Sequence, residues 1–213
     1  LDGFEYRFEN GTSGTPASEP EYFRFYKSVP LLEQYRRFWN LYPQFQLKNL
    51  LEIGVWDGAS LAFWNDLLKP ERHIGIDYLP QKSSPYFEAF VKTRGLQDRI
   101  RTFWQTNQAD RPRLREIASS NFDGPLDLVL DDGSHMYAQT RASFETLFPL
   151  LREGGFDIVH TDFLFVFAHA LRSLRPLEFL LSPLPLGGQY LVLARKRASP
   201  GPAPACARRA PAH

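Results

Sequence analysis

Cysteine is all but missing from this 213-residue sequence, and the single one, Cys206, sits in a Pro/Ala-rich tail. That excludes an intrachain disulfide framework and fits a reducing cytoplasm. Long apolar runs are missing too. The longest, Phe163 to Leu171, is broken by His169 and falls far short of the roughly 20 residues that span a bilayer, so no membrane partner is expected. An excess of one charge is also lacking. The 25 Lys and Arg nearly cancel the 24 Asp and Glu, which removes both the positive field that favours nucleic acid and the acidic bias of disordered chains. No signal peptide is recognisable, although the chain starts at Leu1 rather than methionine and a removed leader stays open. The Asn10-Gly11-Thr12 sequon is too short a pattern to carry weight.

The informative stretch is Asn49 to Ser60. Leu50, Leu51 and Ile53 form a short apolar run, Gly54 and Gly58 bracket a turn, and Leu61-Ala62-Phe63-Trp64 opens another apolar segment. This predicts strand, tight loop, helix. Glycines in such a loop permit positive φ and close approach to a ligand, and the following helix presents free amides to the loop. The spacing Glu52-x-Gly54-x-x-x-Gly58 lacks the Gly-x-Gly-x-x-Gly of dinucleotide folds and places a carboxylate beside the loop. An acid there suits a cationic ligand such as S-adenosylmethionine better than the pyrophosphate of NAD.

Elements alternate on both sides of this stretch. A helix is predicted from about Pro30 to Tyr42, with Leu31, Leu32, Tyr35, Phe38, Trp39 and Tyr42 at helical spacing. Strands follow at His73–Asp77, Arg99–Trp104 and Leu126–Leu130, separated by helices at Tyr86–Thr93 and Pro112–Ser120. A helix over Tyr137–Leu151 carries Phe144, Leu147, Phe148 and Leu151 on one apolar face, with Pro149 tightening its last turn and Gly154-Gly155 ending it. A fifth strand begins at Phe156–Val159, a helix is expected over Phe163–Leu174, and Leu177–Leu181 with Tyr190–Ala194 close the sheet. The expected fold is α/β: a Rossmann-like, doubly wound, mostly parallel seven-stranded sheet with helices on both faces. One domain spans 30–197, after an N-terminal loop and edge segment (1–29, with Phe4, Tyr6 and Phe8 alternating) and before a disordered tail (198–213).

Ligands of open α/β sheets bind outside the carboxyl ends of the strands. Asp77, ending the second strand, is placed to accept ribose hydroxyls of an adenosine ligand. Asn107 and Gln108, after the third strand, offer amides to the adenine edge, although a polar β–α turn explains them equally well. Asp131-Asp132-Gly133-Ser134-His135 ends the fourth strand. Asp132 could hold a hard divalent cation and neutral His135 could take a proton from a hydroxyl, or the stretch could be a turn that caps the next helix.

Glu52-x-Gly54-x-x-x-Gly58-x-Ser60, Asp77, Gln108-Ala109-Asp110, Asp131-Asp132-Gly133-Ser134-His135 and the run from Arg141 to Gly155 together resemble the class I S-adenosylmethionine-dependent methyltransferases. The similarity, from about Pro30 to Gly155, is to the metal-dependent macrolide-sugar O-methyltransferases and their cephalosporin-hydroxylase-like relatives. It implies that Glu52, Gly54, Gly58, Ser60, Asp77, Asn107, Gln108 and Asp131 hold S-adenosylmethionine, that Asp132 ligates Mg2+, and that His135 is the general base. The fifth strand departs from the pattern. Relatives end it in adjacent Glu-Asp, whereas here either His160 and Thr161 or Thr161 and Asp162 stand there, and one carboxylate is missing in both registers. His160 and Asp162 are therefore candidate ligands of an optional magnesium site. The resemblance implies an O-methyltransferase for a hydroxyl of a small polar acceptor, such as a sugar or a glycosylated secondary metabolite, with a homo-oligomer permitted. A degenerate domain that keeps the cofactor without turnover is the alternative, and an NAD oxidoreductase is disfavoured by the missing third glycine.

Overall fold

The computed structural model describes residues 3–9, 21–27, 29–41, 47–80, 83–134, 136–151, 156–164 and 189–196, the last two segments as backbone. Two compact units are present, Leu1–Arg152 and Glu153–His213.

In the first unit, β3 (Asn49–Ile53), β4 (Arg72–Ile76), β5 (Ile100–Phe103) and β6 (Leu128–Asp131) form a parallel sheet in the order β5-β4-β3-β6. Relative to β3 as the first strand this is 3-2-1-4, the order of a Rossmann-like half, and its direction reverses between β3 and β6. Alternation sends Leu51, Ile53, Ile74 and Ile76 to one face, where they pack on Leu114 and Ile117 of α4 (Arg111–Asn121) and Leu147 of α5 (Tyr137–Leu147). Leu50 faces the other way, onto Trp64 of α2 (Ala59–Leu68), with Leu32 and Tyr35 of α1 (Val29–Leu41) beside it. Phe87 and Phe90 of α3 (Pro85–Thr93) join Leu61 and Ile100 on that side. The four strands are thus covered on both faces, as the sequence predicts. Helix starts follow local chemistry. Ser84 caps α3 and Asp110 caps α4, each with Pro in the first turn.

Several expectations are corrected. The N-terminal segment holds two strands, β1 (Tyr6–Glu9) and β2 (Phe23–Tyr26), paired in parallel. Phe23 and Phe25 are buried, and Phe25 stacks on Phe63 at 4.3 Å between ring centroids. At four residues, β2 is too short for its alternation to stand out in the sequence. Helix α5 stops at Leu147 and tightens into a 3-10 turn at Phe148–Leu150, where Pro149 cannot donate. Its buried residues are Ala142, Ser143, Thr146 and Leu147, while Phe144 and Phe148 stack on each other and are exposed.

In the second unit, β7 (Phe156–Leu164) pairs antiparallel with β8 (Gln189–Lys196). The fifth strand therefore runs through Phe163 and Leu164, where a helix was expected, in keeping with its β-branched and aromatic content. The rest of that helix, Leu177–Leu181, Gly154-Gly155 and the tail from 198 lie outside the described residues. Among the described residues no helix is long and apolar enough to cross a membrane.

Candidate active site

The parallel strands deliver their carboxyl ends to one edge, and the loops after them carry Gly54 (β3), Asp77 (β4), Asn107 and Gln108 (β5) and Asp132 (β6). At the centre, Gly54 has φ 84°, and a Cβ there would lie 2.4 Å from the Asp132 carbonyl oxygen and 2.8 Å from Gly133 Cα. The loops after β3 and β6 therefore touch backbone to backbone, at the point where strand order reverses. Gly58, the left-handed N-cap of α2 with φ 97°, leaves room for the Phe87 ring, which a Cβ would meet at 2.5 Å. Both glycines are required by contacts within the protein.

Asp77 is buried and organises the glycine loop. Its Oδ2 accepts from the amides of Val55 (2.9 Å) and Trp56 (2.8 Å), and its Oδ1 from the Leu79 amide (2.9 Å). Trp56 is held with φ 52°. Gln108, also buried, ties the loop after β5 to the end of β6: its Nε2 donates to the Asp131 carboxylate at 3.2 Å and its Oε1 accepts from the Ser134 amide at 2.6 Å. Ser143 of α5 donates to Asp131 at 2.8 Å. Lost hydration pushes the Asp131 pKa above the usual carboxylate value, the Asp132 charge adding to this while bonds from Ser143, Gly133 and Gln108 oppose it. Asn107 is exposed, and its Oδ1 closes the turn by accepting from Ala109 at 2.9 Å. Ser60 lies in the first turn of α2.

Glu52 is turned inward. It is 2% exposed, and its Oε2 lies 3.5 Å from Nε2 of the fully buried His73, with no hydrogen-bond partner for either atom. Burial, with the nearby Asp132 and Glu52 charges, pushes the Tyr35 phenol above its usual range.

Asp132 is paired with a residue that the sequence did not single out. Lys27, just after β2, donates its buried ammonium to Asp132 Oδ2. The readable signal was the alternation Phe23, Phe25, Lys27, all three buried. His135 lies outside the described residues. His160 and Asp162 stand inside β7, opposite Leu193 and Leu191 of β8, rather than at its end. Among the described residues no three His, Cys, Asp or Glu side chains form a metal-binding group, and the candidate carboxylate of Asp132 is matched by Lys27. The described side chains at this edge do not by themselves make a donor set for a divalent ion.

A Rossmann-like half-sheet whose strand-end acids and amides clamp a glycine loop defines an α/β domain of the ligand-binding type. Residues 51–162, more than half of the chain, match the methyltransferase domain family, and the chain belongs to that family. Among curated proteins it is 38% identical over 118 residues to the 8-demethyl-8-(2-methoxy-alpha-L-rhamnosyl)-tetracenomycin-C 3'-O-methyltransferase of Streptomyces olivaceus, covering 52% of this chain and 26% of the relative. Mycinamicin VI 2''-O-methyltransferase of Micromonospora griseorubida is 36% identical, with 54% and 27% covered. The matched stretch is thus about a quarter of each relative's length. Among solved structures, the MycE methyltransferase in complex with Mg, SAH and mycinamycin VI is 34% identical at a TM-score of 0.43, covering 58% of this chain and 30% of that one.

Proposed function

We propose that this chain is the cofactor-binding part of an S-adenosylmethionine-dependent O-methyltransferase that acts on a hydroxyl of a small polar acceptor, such as a sugar or a glycosylated secondary metabolite. The observation that carries this reading is the clamp of Asp77 on the Val55 and Trp56 amides. It shapes the glycine loop next to a strand-end carboxylate and an exposed amide, Asn107, a donor and acceptor set that suits a nucleoside. Family membership and the sugar O-methyltransferase relatives support the choice of cofactor and acceptor. In this reading Gly54, Gly58, Ser60, Asp77, Asn107, Gln108 and Asp131 surround the cofactor, and Glu52 acts from the interior through the strand below the loop. The seven-stranded sheet expected from the sequence is part of the proposal.

When bound, the cofactor would supply a methyl group activated for transfer by its sulfonium. The chain's part is mainly alignment, worth up to about 7–11 kcal/mol in favourable cases. His135 takes the hydroxyl proton, a contribution of roughly 10²–10⁴-fold. Trp56, Tyr78 and Met136 are exposed on the loops after β3, β4 and β6, and Tyr137 at the start of α5, apolar surface that suits an acceptor with an apolar body. The test is calorimetry with S-adenosylhomocysteine together with methyl transfer to sugar-bearing small molecules. Binding without transfer to any hydroxyl would favour the degenerate-domain alternative, which the missing carboxylate near His160 motivates. Absence of binding would end both readings.

A further inference from the structure

Lys27, one residue past β2, continues the buried alternation of Phe23 and Phe25, and its side chain is 6% exposed. Burying an ammonium is costly unless an acid lies beside it, and the partner is Asp132, which is 44% exposed just after β6. The pairing joins two segments 105 residues apart. It also sits where the loop after β6 lies against Gly54, so the ammonium is anchored at the switch point of the sheet rather than at a rim. Another acid lies close by: Glu52 and Asp132 both act on the Tyr35 phenol.

We propose that Lys27 is the built-in cation of this site, neutralising Asp132 in place of a divalent metal ion, so that Asp132 is not a metal ligand in this chain. The ammonium on Oδ2 already neutralises this carboxylate, and its positive charge opposes a second cation at the remaining oxygen, while withdrawing the lysine would strand a buried charge. Lys27 is thereby a positioning residue. It holds Asp132, and through the Asp132–Gly133 backbone it holds the loop after β3. The inference rests on the proposed function only in taking Asp132 to border the reactive site.

The test is lysine footprinting of the intact protein by reductive methylation and mass spectrometry, with and without excess Mg2+, alongside Mn2+ titration followed by electron paramagnetic resonance. Lys27 is expected to label roughly ten-fold or more slowly than exposed Lys69 and Lys92, since reaction needs a local opening. Mg2+ is expected to leave that protection unchanged, and the parent and Asp132→Asn to give the same Mn2+ titration. Mg2+-induced labelling of Lys27, or Mn2+ binding by the parent that Asp132→Asn abolishes, would overturn the proposal. Both readouts are independent of S-adenosylhomocysteine binding, so failure of the methyltransferase reading would be seen separately. If Asp132→Asn does not fold, footprinting of the parent still decides.

Discussion

Replacing Gly54 by alanine tests the contact on which the site is built. Two costs can be separated. A φ of 84° puts an alanine in the left-handed region, at about 1–2 kcal/mol. The added Cβ would also lie 2.4 Å from the Asp132 carbonyl oxygen and 2.7 Å from its carbon, both backbone atoms that no rotamer change can move, so one loop must shift. Forced repacking of this kind costs roughly 1–3 kcal/mol, for a total near 2–5 kcal/mol. Gly95→Ala is the control, because its φ is 63° but nothing lies within 4 Å of a Cβ there, so it bears the conformational cost alone. All four tryptophans lie in Leu1–Arg152, so fluorescence-monitored urea unfolding reports on this unit. The gain in unfolded-state order on removing a glycine is common to both variants and cancels in the difference. Gly54→Ala should exceed Gly95→Ala by about 1–3 kcal/mol at unchanged m-value. Equal losses would mean that the loops after β3 and β6 do not touch in solution, and the account of the switch point would fail.

Asp77→Ala should weaken S-adenosylhomocysteine binding by calorimetry. It should also lower stability by roughly 2–5 kcal/mol, because three backbone amides lose their acceptor; an unchanged dissociation constant would remove Asp77 from the site. His135→Gln should reduce turnover by about 10²–10⁴-fold while cofactor affinity holds; parent-like activity would leave His135 a turn residue only. Glu145 is held below the usual glutamate range by hydrogen bonds from Arg111 and Arg141, so it stabilises the fold above that range and this contribution is lost as pH falls through its lowered pKa. Glu145→Gln should accordingly flatten the acid limb of the Tm–pH profile, and an unaltered limb would count against the pairing. Asp131 has the opposite sign. Its raised pKa favours the fold below the ordinary carboxylate value and loses this as pH rises, so Asp131→Asn should alter that part of the profile instead.

The sequence by itself determined the alternation of elements, the parallel half-sheet and the loops that bear ligand-type residues. These follow from local periodicity and turn chemistry, since Leu50 to Ile53, Gly54 and Gly58 specify strand and loop without distant partners. The caps at Ser84 and Asp110 and the tightening at Pro149 belong to the same local class. Tertiary structure alone decided the partners. That Gly54 makes room for the Asp132 backbone, that Asp77 spends its oxygens on three amides, and that Glu52 faces His73 all depend on which strands become neighbours. Lys27 is the clearest case. It is an ordinary lysine in a short alternating run until β2 folds over the sheet, and a buried ammonium must then find its acid 105 residues away. Strand β7 shows the reverse limit, because an aromatic run reads as helix or strand with equal ease until β8 provides the hydrogen bonds that choose.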